Sequence, residues 1–374
     1  MNKIDNPFLV YGYEGPEYFC DREKETETIL SALLNGNNMT LMSPRRYGKT
    51  GLIRNVFHHL EKHNPETSSF YLDIYSTSCL SDFVLMLGKA VLGKLDTPLQ
   101  KAEGFMAKIF RSSQITMSTD FVTGLPEFSL SFQPQYVEKT LEEIFAYISQ
   151  AERPCFIAID EFQQVREYPE KNVEALLRTY VQQTHNVHFI FAGSKLHMMS
   201  EMFNSPKHPF YRSTEKLHLD ILNEDVYYEF ASFKFKMKNI TLPREIFHSI
   251  YSLVDGVTWY VQAVMNRLYR LNECTVTELH LRSAINDIIL SEEDDYKRLL
   301  HLLTANQSRL LRAIANEGIV KSPLAGDFMR KHQMKSASSI QRALQYLMDE
   351  EYLYHTDEGY IVYDRFFALW LKNM

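Results

Sequence analysis

Apolar positions along the chain fall into two alternating kinds of run. Residues 21–36 carry Ile29, Leu30, Leu33 and Leu34 at helical spacing and close on Asn35-Gly36, the pattern of an amphipathic helix and its stop. A short apolar run to about Met42 predicts a strand, and a second helical pattern covers about 49–62. "SFYLDIY" (69–75) predicts a strand, and Phe83, Val84, Leu87, Val91 and Leu92 make the apolar side of a helix over about 80–94. "VEKTLEEIFAYISQA", "PCFIAIDEFQQV", a helix at about 172–184 and "VHFIFAGS" repeat the alternation. Unbroken apolar strands alternating with helices predict an α/β fold, a parallel sheet with helices on both faces.

Two regions break this rhythm. In "FVTGLPEFSLSFQPQ", Gly124-Leu125-Pro126 separates two short alternating runs, so 101–135 reads as a hairpin-like insertion. From about 213 the character changes. After one more β-rich piece, "EKLHLDIL", four helical patterns run to about 297, and the acidic run Glu292-Glu293-Asp294-Asp295 suggests a boundary. The remainder reads as helix, helix, helix and a short hairpin turning at Asp357-Glu358-Gly359. The expected organisation is a core over 1–212, a helical segment over 213–297 and a terminal domain over 298–374.

Composition narrows the class. The 374 residues suffice for two or three domains. A hydrophobic content of 45% and a charged content of 23% suit a globular protein. The net charge of -7 requires any nucleic-acid contact to use a local patch. Cys20, Cys79, Cys155 and Cys274 lie far apart without a CxxC pair, which argues against a zinc site or disulfide framework and fits a reducing cytoplasm. The N-terminus lacks a signal-peptide pattern, and no apolar stretch approaches the roughly 20 residues of a membrane span.

The chemistry concentrates at strand ends. In "SPRRYGKTG" (43–51) a strand hands over to a helix, where backbone N–H groups converge and the helix N-terminus adds partial positive charge. Gly48 lets the backbone approach a phosphate, Lys49 can reach β- and γ-phosphates, and the Thr50 hydroxyl can ligate Mg²⁺. The pattern GxxxxGK[ST] has its first glycine where this chain has Ser43, and Ser43-Pro44 can make the same bend. Arg45, Arg46 and Lys49 flank Tyr47 with no acid among them, so a triphosphate would neutralise a self-repelling cluster. Arg45 and Arg46 serve either the nucleotide or an interdomain contact.

About 110 residues later, "FIAIDEF" delivers Asp160 to the carboxyl end of a buried strand, the edge where open α/β sheets bind ligands. Asp160 can hold Mg²⁺ and Glu161 can polarise an attacking water. Ser194, at the end of "HFIFAGS", either bonds the γ-phosphate or water or caps the next helix. Arg212 is either a cation for the transferring phosphoryl group, in cis or from a neighbour, or a surface arginine. His59 and His63 stand at i,i+4 without an evident third metal ligand.

Taken together, "NPF", "FCDRE", "SPRRYGKTGLI", "FIAIDEFQQV", "FAGS" and the "FYR" segment resemble the archaeal-type ATPases, in the AAA+/STAND branch of P-loop NTPases. The resemblance spans nearly the whole chain. It implies a Mg²⁺-dependent ATPase core, a helical lid and a C-terminal winged helix, with Asp21, Arg22 and Glu23 near the adenine. Two departures stand out. Thr258 replaces the usual proline after Gly256 in the lid motif, and Tyr211-Arg212 lacks the glycine of the family's "YGR". In a winged helix the third helix can enter a DNA major groove. Candidate contacts are Lys335, Ser336, Ser338, Ser339, Gln341 and Arg342, with Arg330 and Lys331 just before. Asp349, Glu350, Glu351, Asp357 and Glu358 oppose DNA, and winged helices also bind proteins. Expected partners are therefore ATP and ADP, with double-stranded DNA, a protein partner or a second copy as further possibilities.

Overall fold

The computed structural model describes residues 5–92, 95, 109–119, 126–271, 274–334 and 336–373. They form two compact units, one of residues 11–221 and one joining 5–10 to 222–373.

The first unit is built on a five-stranded sheet of β1 (Met39–Met42), β2 (Ser68–Asp73), β5 (Cys155–Asp160), β6 (Val187–Gly193) and β7 (Glu215–His218), ordered β2-β5-β6-β1-β7. Every pairing in it is parallel. The antiparallel pair β3 (Ser113–Thr119) and β4 (Pro126–Phe132) forms the two sides of the expected insertion. The expected turn at Gly124-Leu125 lies outside the described residues. β7 belongs to this sheet although it follows the boundary expected at 212. It pairs with β1 from Met39↔Glu215 to Met42↔His218, and the first unit continues to Ile221.

Helices α1 (Glu23–Leu34), α2 (Lys49–His63), α3 (Leu80–Val91), α4 (Val137–Ser149), α5 (Val173–Gln183) and α6 (Leu196–Asn204) complete the unit. Two-residue alternation sorts the strand side chains. Phe156, Ala158, Ile190 and Ala192 join Leu52, Val56 and Leu60 of α2 in one core. Ile157, Ile159, Phe189 and Phe191 join Leu87, Ile144 and Met199 in the other. The central strands are buried on both faces, which explains their unbroken apolar sequence. The alternation also fixes chemistry: Asp160 continues the parity of Phe156 and Ala158, towards the face covered by α2.

The second unit holds α7 (Glu224–Met237), α8 (Arg244–Leu253), α9 (Thr258–Arg270), α10 (Glu278–Leu302), α11 (Ala305–Glu317), α12 (Gly326–Lys331), α13 (Ala337–Asp349), β8 (Leu353–Thr356), β9 (Gly359–Val362) and α14 (Arg365–Lys372). α10 runs unbroken through the acidic run at 292–295, because Lys297 and Arg298 pair with Glu293 and Asp295 along its exposed face. The N-terminal "NPF" packs here: Phe8 is fully buried against Phe235 and Tyr269, and Asn266 donates to its carbonyl. Thr258 is the first residue of α9, a position suited to proline because its N–H needs no helical partner.

α11, α12 and α13 followed by the β8–β9 hairpin form the winged-helix arrangement, with Val320 bridging to Tyr360 beside the hairpin. α14 was not expected from the sequence pattern. It buries Phe366, Phe367, Trp370 and Leu371 and is capped by the Asp364 carboxylate. Among the described residues no helix is long and apolar enough to cross a membrane. All four cysteines are free.

Candidate nucleotide site

β1, β5 and β6 end together at one edge of the sheet, where three polar groups close on Asp160. The Thr50 hydroxyl donates to Asp160 Oδ2 at 2.8 Å, joining residues 110 positions apart. The Tyr71 hydroxyl donates to the same oxygen at 2.8 Å, and the Glu161 amide donates to Oδ1 at 3.0 Å. Strand register accounts for the tyrosine. Tyr71 pairs with Ala158 and Asp73 with Asp160, so Tyr71 shares the face of Asp160 and reaches along it. Burial and the neighbouring Asp160 charge push the Tyr71 phenol up, keeping it a donor. The Arg54 guanidinium lies 4.0 Å from its ring centroid.

Glu161 takes the left-handed conformation at φ 56°, an uncommon backbone for a residue with a side chain. It turns the chain into a 3₁₀ helix over Phe162–Glu167. The turn is held by Phe162, fully buried among Phe191, Phe203 and Phe210. Glu161 Oε2 accepts from Ser194 Oγ and from Gln163 Nε2, each at 2.6 Å, while Oε1 lies 3.7 Å from Lys49 Nζ. Burial pushes the Glu161 carboxyl up, but the Lys49 charge, these two donors and the Arg45 charge together hold it below the usual range. The Ser194 hydroxyl is thus engaged by Glu161, and Lys195, not Ser194, occupies the N-cap of α6.

The turn before α2 has the expected form. Gly48 adopts φ 94° and caps α2, Arg46 adopts φ 73°, and Ser43 is buried with its hydroxyl donating to the Pro44 carbonyl. Lys49 is buried, Tyr47 packs on the α2-side core, and the Arg45 guanidinium lies over the Tyr75 ring. Phe19 lies against Gly51, where an added Cβ would approach its ring at 3.2 Å.

Phe19 also lines a cavity of about 540 Å³, together with Asp21, Glu23, Asn55 and His59. Arg22 takes another course: it is buried, bonding Glu25 at 2.7 Å and the Asp220 carbonyl. The three residues expected near a base therefore divide, with Asp21 and Glu23 at the cavity and Arg22 fixing the entry to α1.

Arg212 is not brought to this cluster. It sits exposed at φ 52° over the Tyr211 ring, and among the described residues no contact joins it to Lys49, Asp160 or Glu161. In the second unit, Ser338, Gln341 and Arg342 share the exposed face of α13, Ser336 caps that helix through the Ser339 amide, and Ser339 accepts from Asn306. Arg330 pairs with Asp327, and Lys331 pairs with Glu317 at 2.6 Å. Lys335 lies outside the described residues. His63 meets the His59 carbonyl, and no cluster of three or more His, Cys, Asp or Glu suited to a metal occurs among the described residues.

Two residues of the cluster were not singled out from sequence, Tyr71 and Gln163. Gln163 follows Asp160-Glu161 within the same motif, and that adjacency was its signal. Tyr71 had only strand parity, which becomes informative once the β2–β5 register is known.

Residues 19–264 match a family described as an ATPase domain predominantly from Archaea, and residues 294–373 match one described as a probable winged helix domain. A search of curated proteins gives no match. Among solved structures, a Walker-type ATPase of Pyrococcus abyssi is similar over 98% of this chain and 99% of its own, at 18% identity and a TM-score of 0.66. The ORC2 protein of Aeropyrum pernix, solved as ADPNP–ADP complexes, is similar over 98% and 95%, at 16% identity and TM-score 0.60. The ORC1 protein of the same organism, solved in complex with DNA, is similar over 98% and 96%, at 13% identity and TM-score 0.56. These likenesses establish the fold.

Proposed function

The chain belongs to the family of ATPase domains found predominantly in Archaea, and on that premise we propose that it binds ATP with Mg²⁺ and hydrolyses it at the Lys49–Thr50–Asp160–Glu161 cluster. The observation that carries the reading is the 2.8 Å bond between Thr50 and Asp160, with Glu161 beside it. The donor set fits the ion: a hydroxyl and a carboxylate are hard oxygen donors of the kind Mg²⁺ takes alongside phosphate and water. Thr50 and Asp160 would hold it, and when bound it would draw negative charge off the phosphate oxygens.

The protein's own groups do the rest. Backbone N–H groups at the start of α2 and the Lys49 ammonium bind the phosphates. Lys49 now faces Glu161 Oε1 at 3.7 Å, so a triphosphate competes with the carboxylate for the lysine. Glu161, kept ionised, orients a water and takes its proton as the water oxygen bonds to the γ-phosphorus and ADP departs. Ser194 steadies Glu161. Asp21 and Glu23, which the family resemblance puts near the adenine, line the cavity beside α1.

The test is single-turnover hydrolysis. Lys49→Ala should lose ATP binding. Glu161→Gln should bind ATP and hydrolyse it at least about 10²-fold more slowly, the usual scale of a general-base contribution. Unchanged hydrolysis by Glu161→Gln removes the assignment.

For the winged helix we propose duplex DNA, contacted by Ser338, Gln341 and Arg342 on α13. The DNA complex of the similarly folded ORC1 protein supports this reading by analogy. A protein partner is the second reading, favoured because Arg330 and Lys331 are already paired with carboxylates. DNA affinity falling steeply with salt supports the first; no duplex binding at low salt leaves the second.

A further inference from the structure

The hydrolytic reading names Glu161 but not which of its oxygens accepts the proton. We propose that Gln163 is a positioning residue that, with Ser194, occupies Oε2 of Glu161 and leaves Oε1 as the oxygen that receives the proton. The inference rests on that reading and deepens it.

The geometry has three parts. First, Gln163 Nε2 and Ser194 Oγ both donate to Oε2 at 2.6 Å. A carboxylate oxygen offers two lone pairs in its plane, so Oε2 is saturated. Oε1 lies 3.7 Å from Lys49 Nζ. Second, the amide orientation follows from chemistry. A carboxylate only accepts, so the reverse orientation would set oxygen against oxygen. Third, the seat of the amide is shaped for it. Gln163 is 2% exposed, and a Cβ placed on Gly193 would meet Gln163 Oε1 at 2.4 Å. The amide oxygen thus packs directly against the bare Cα of Gly193, in space that the Met199 side chain also borders.

The arrangement carries a cost. Gln163 Oε1 is buried without a protein partner, and an unpaired buried acceptor destabilises. As a mere core filler, glutamine is a poor choice: methionine has similar length and no orphan oxygen. A filler role predicts that Gln163→Met is neutral or stabilising and leaves turnover alone. A positioning role predicts that the same change slows chemistry without touching binding. In the step itself, the water oxygen bonds to the γ-phosphorus, the bond from that phosphorus to the bridging oxygen breaks with its electrons leaving on ADP, and the water proton passes to Oε1.

The experiment uses the full chain and steady-state ATP hydrolysis, with ATP binding and thermal melting measured beside it. Gln163→Met should lower kcat about tenfold or more, as small misplacements of a reacting group do, with KM within about twofold of wild type and melting unchanged or raised. Ser194→Ala should lower kcat too, and the double variant should lose less than the two effects multiplied, because both act through one oxygen. If Gln163→Met does not melt cooperatively, Gln163→Asn gives the same comparison, keeping the amide but shortening its reach. Wild-type kcat in these Gln163 variants, beside an impaired Glu161→Gln, overturns the inference alone. Wild-type hydrolysis by Glu161→Gln overturns the base reading and the inference together.

Discussion

Phe162 offers the most direct test of how the core holds the site. Its side chain is fully buried, with ring centroids 4.6 Å from Phe191, 5.3 Å from Phe210 and 6.0 Å from Phe203. Phe162→Ala removes that burial and leaves a cavity between strand β6 and the 3₁₀ helix. Phe→Ala changes in cores cost about 3–5 kcal/mol. The three ring pairs, at about 0.5–1.5 kcal/mol each, are a large part of that sum. Against a typical domain stability of about 5–15 kcal/mol, the loss is severe but survivable. Urea unfolding followed by far-UV circular dichroism is the assay. Tryptophan fluorescence is a poor probe because the chain's two tryptophans, Trp259 and Trp370, both lie in the second unit. The functional consequence is specific: without its anchor the left-handed turn at Glu161 relaxes, so hydrolysis should fall further than ATP binding. A loss below about 1.5 kcal/mol, the range of a tolerated hydrophobic swap, would refute the claim that this ring fixes the turn.

Tyr71→Phe deletes one donor to Asp160 and should cost about 1.5–3 kcal/mol, the range for a hydrogen bond to a charged group, measured by the same unfolding experiment. Thr304→Ala breaks a capping box in which Thr304 and Gln307 exchange bonds at the start of α11, and should cost about 1 kcal/mol, read by thermal melting. Against the upward push of burial, the Glu161 carboxyl is held below its ordinary range by the Lys49 charge and by its two hydrogen-bond donors. Its contribution to stability is therefore full above the unfolded value, about pH 4.3, and is lost as pH falls through the lower folded value. Melting temperature plotted against pH should accordingly fall less steeply on the acid side in Glu161→Gln than in wild type, and parallel slopes would contradict this.

The sequence alone determined a good deal. Strand burial on both faces left unbroken apolar runs, so the parallel sheet was readable. Gly48-Lys49-Thr50 and Asp160-Glu161 were readable because each motif is contiguous and sits at a strand end. Other features needed the folded chain. That Ser194 meets Glu161 instead of capping α6 depends on the adjacency of β5 and β6. Tyr71 reaches Asp160 through the β2–β5 register, which local composition does not encode. β7 escaped the expected boundary at 212 because its pairing with β1 is a contact between segments about 175 residues apart. The acidic run at 292–295, expected as a boundary, lies on the solvated face of one continuous helix, with Glu293 and Asp295 paired to Lys297 and Arg298, and the winged-helix match begins within it, at residue 294. Contiguous patterns record local backbone preference and burial. Which oxygen faces which donor is settled only when distant strands come into register, and that information is spread over residues too far apart for any short window to hold.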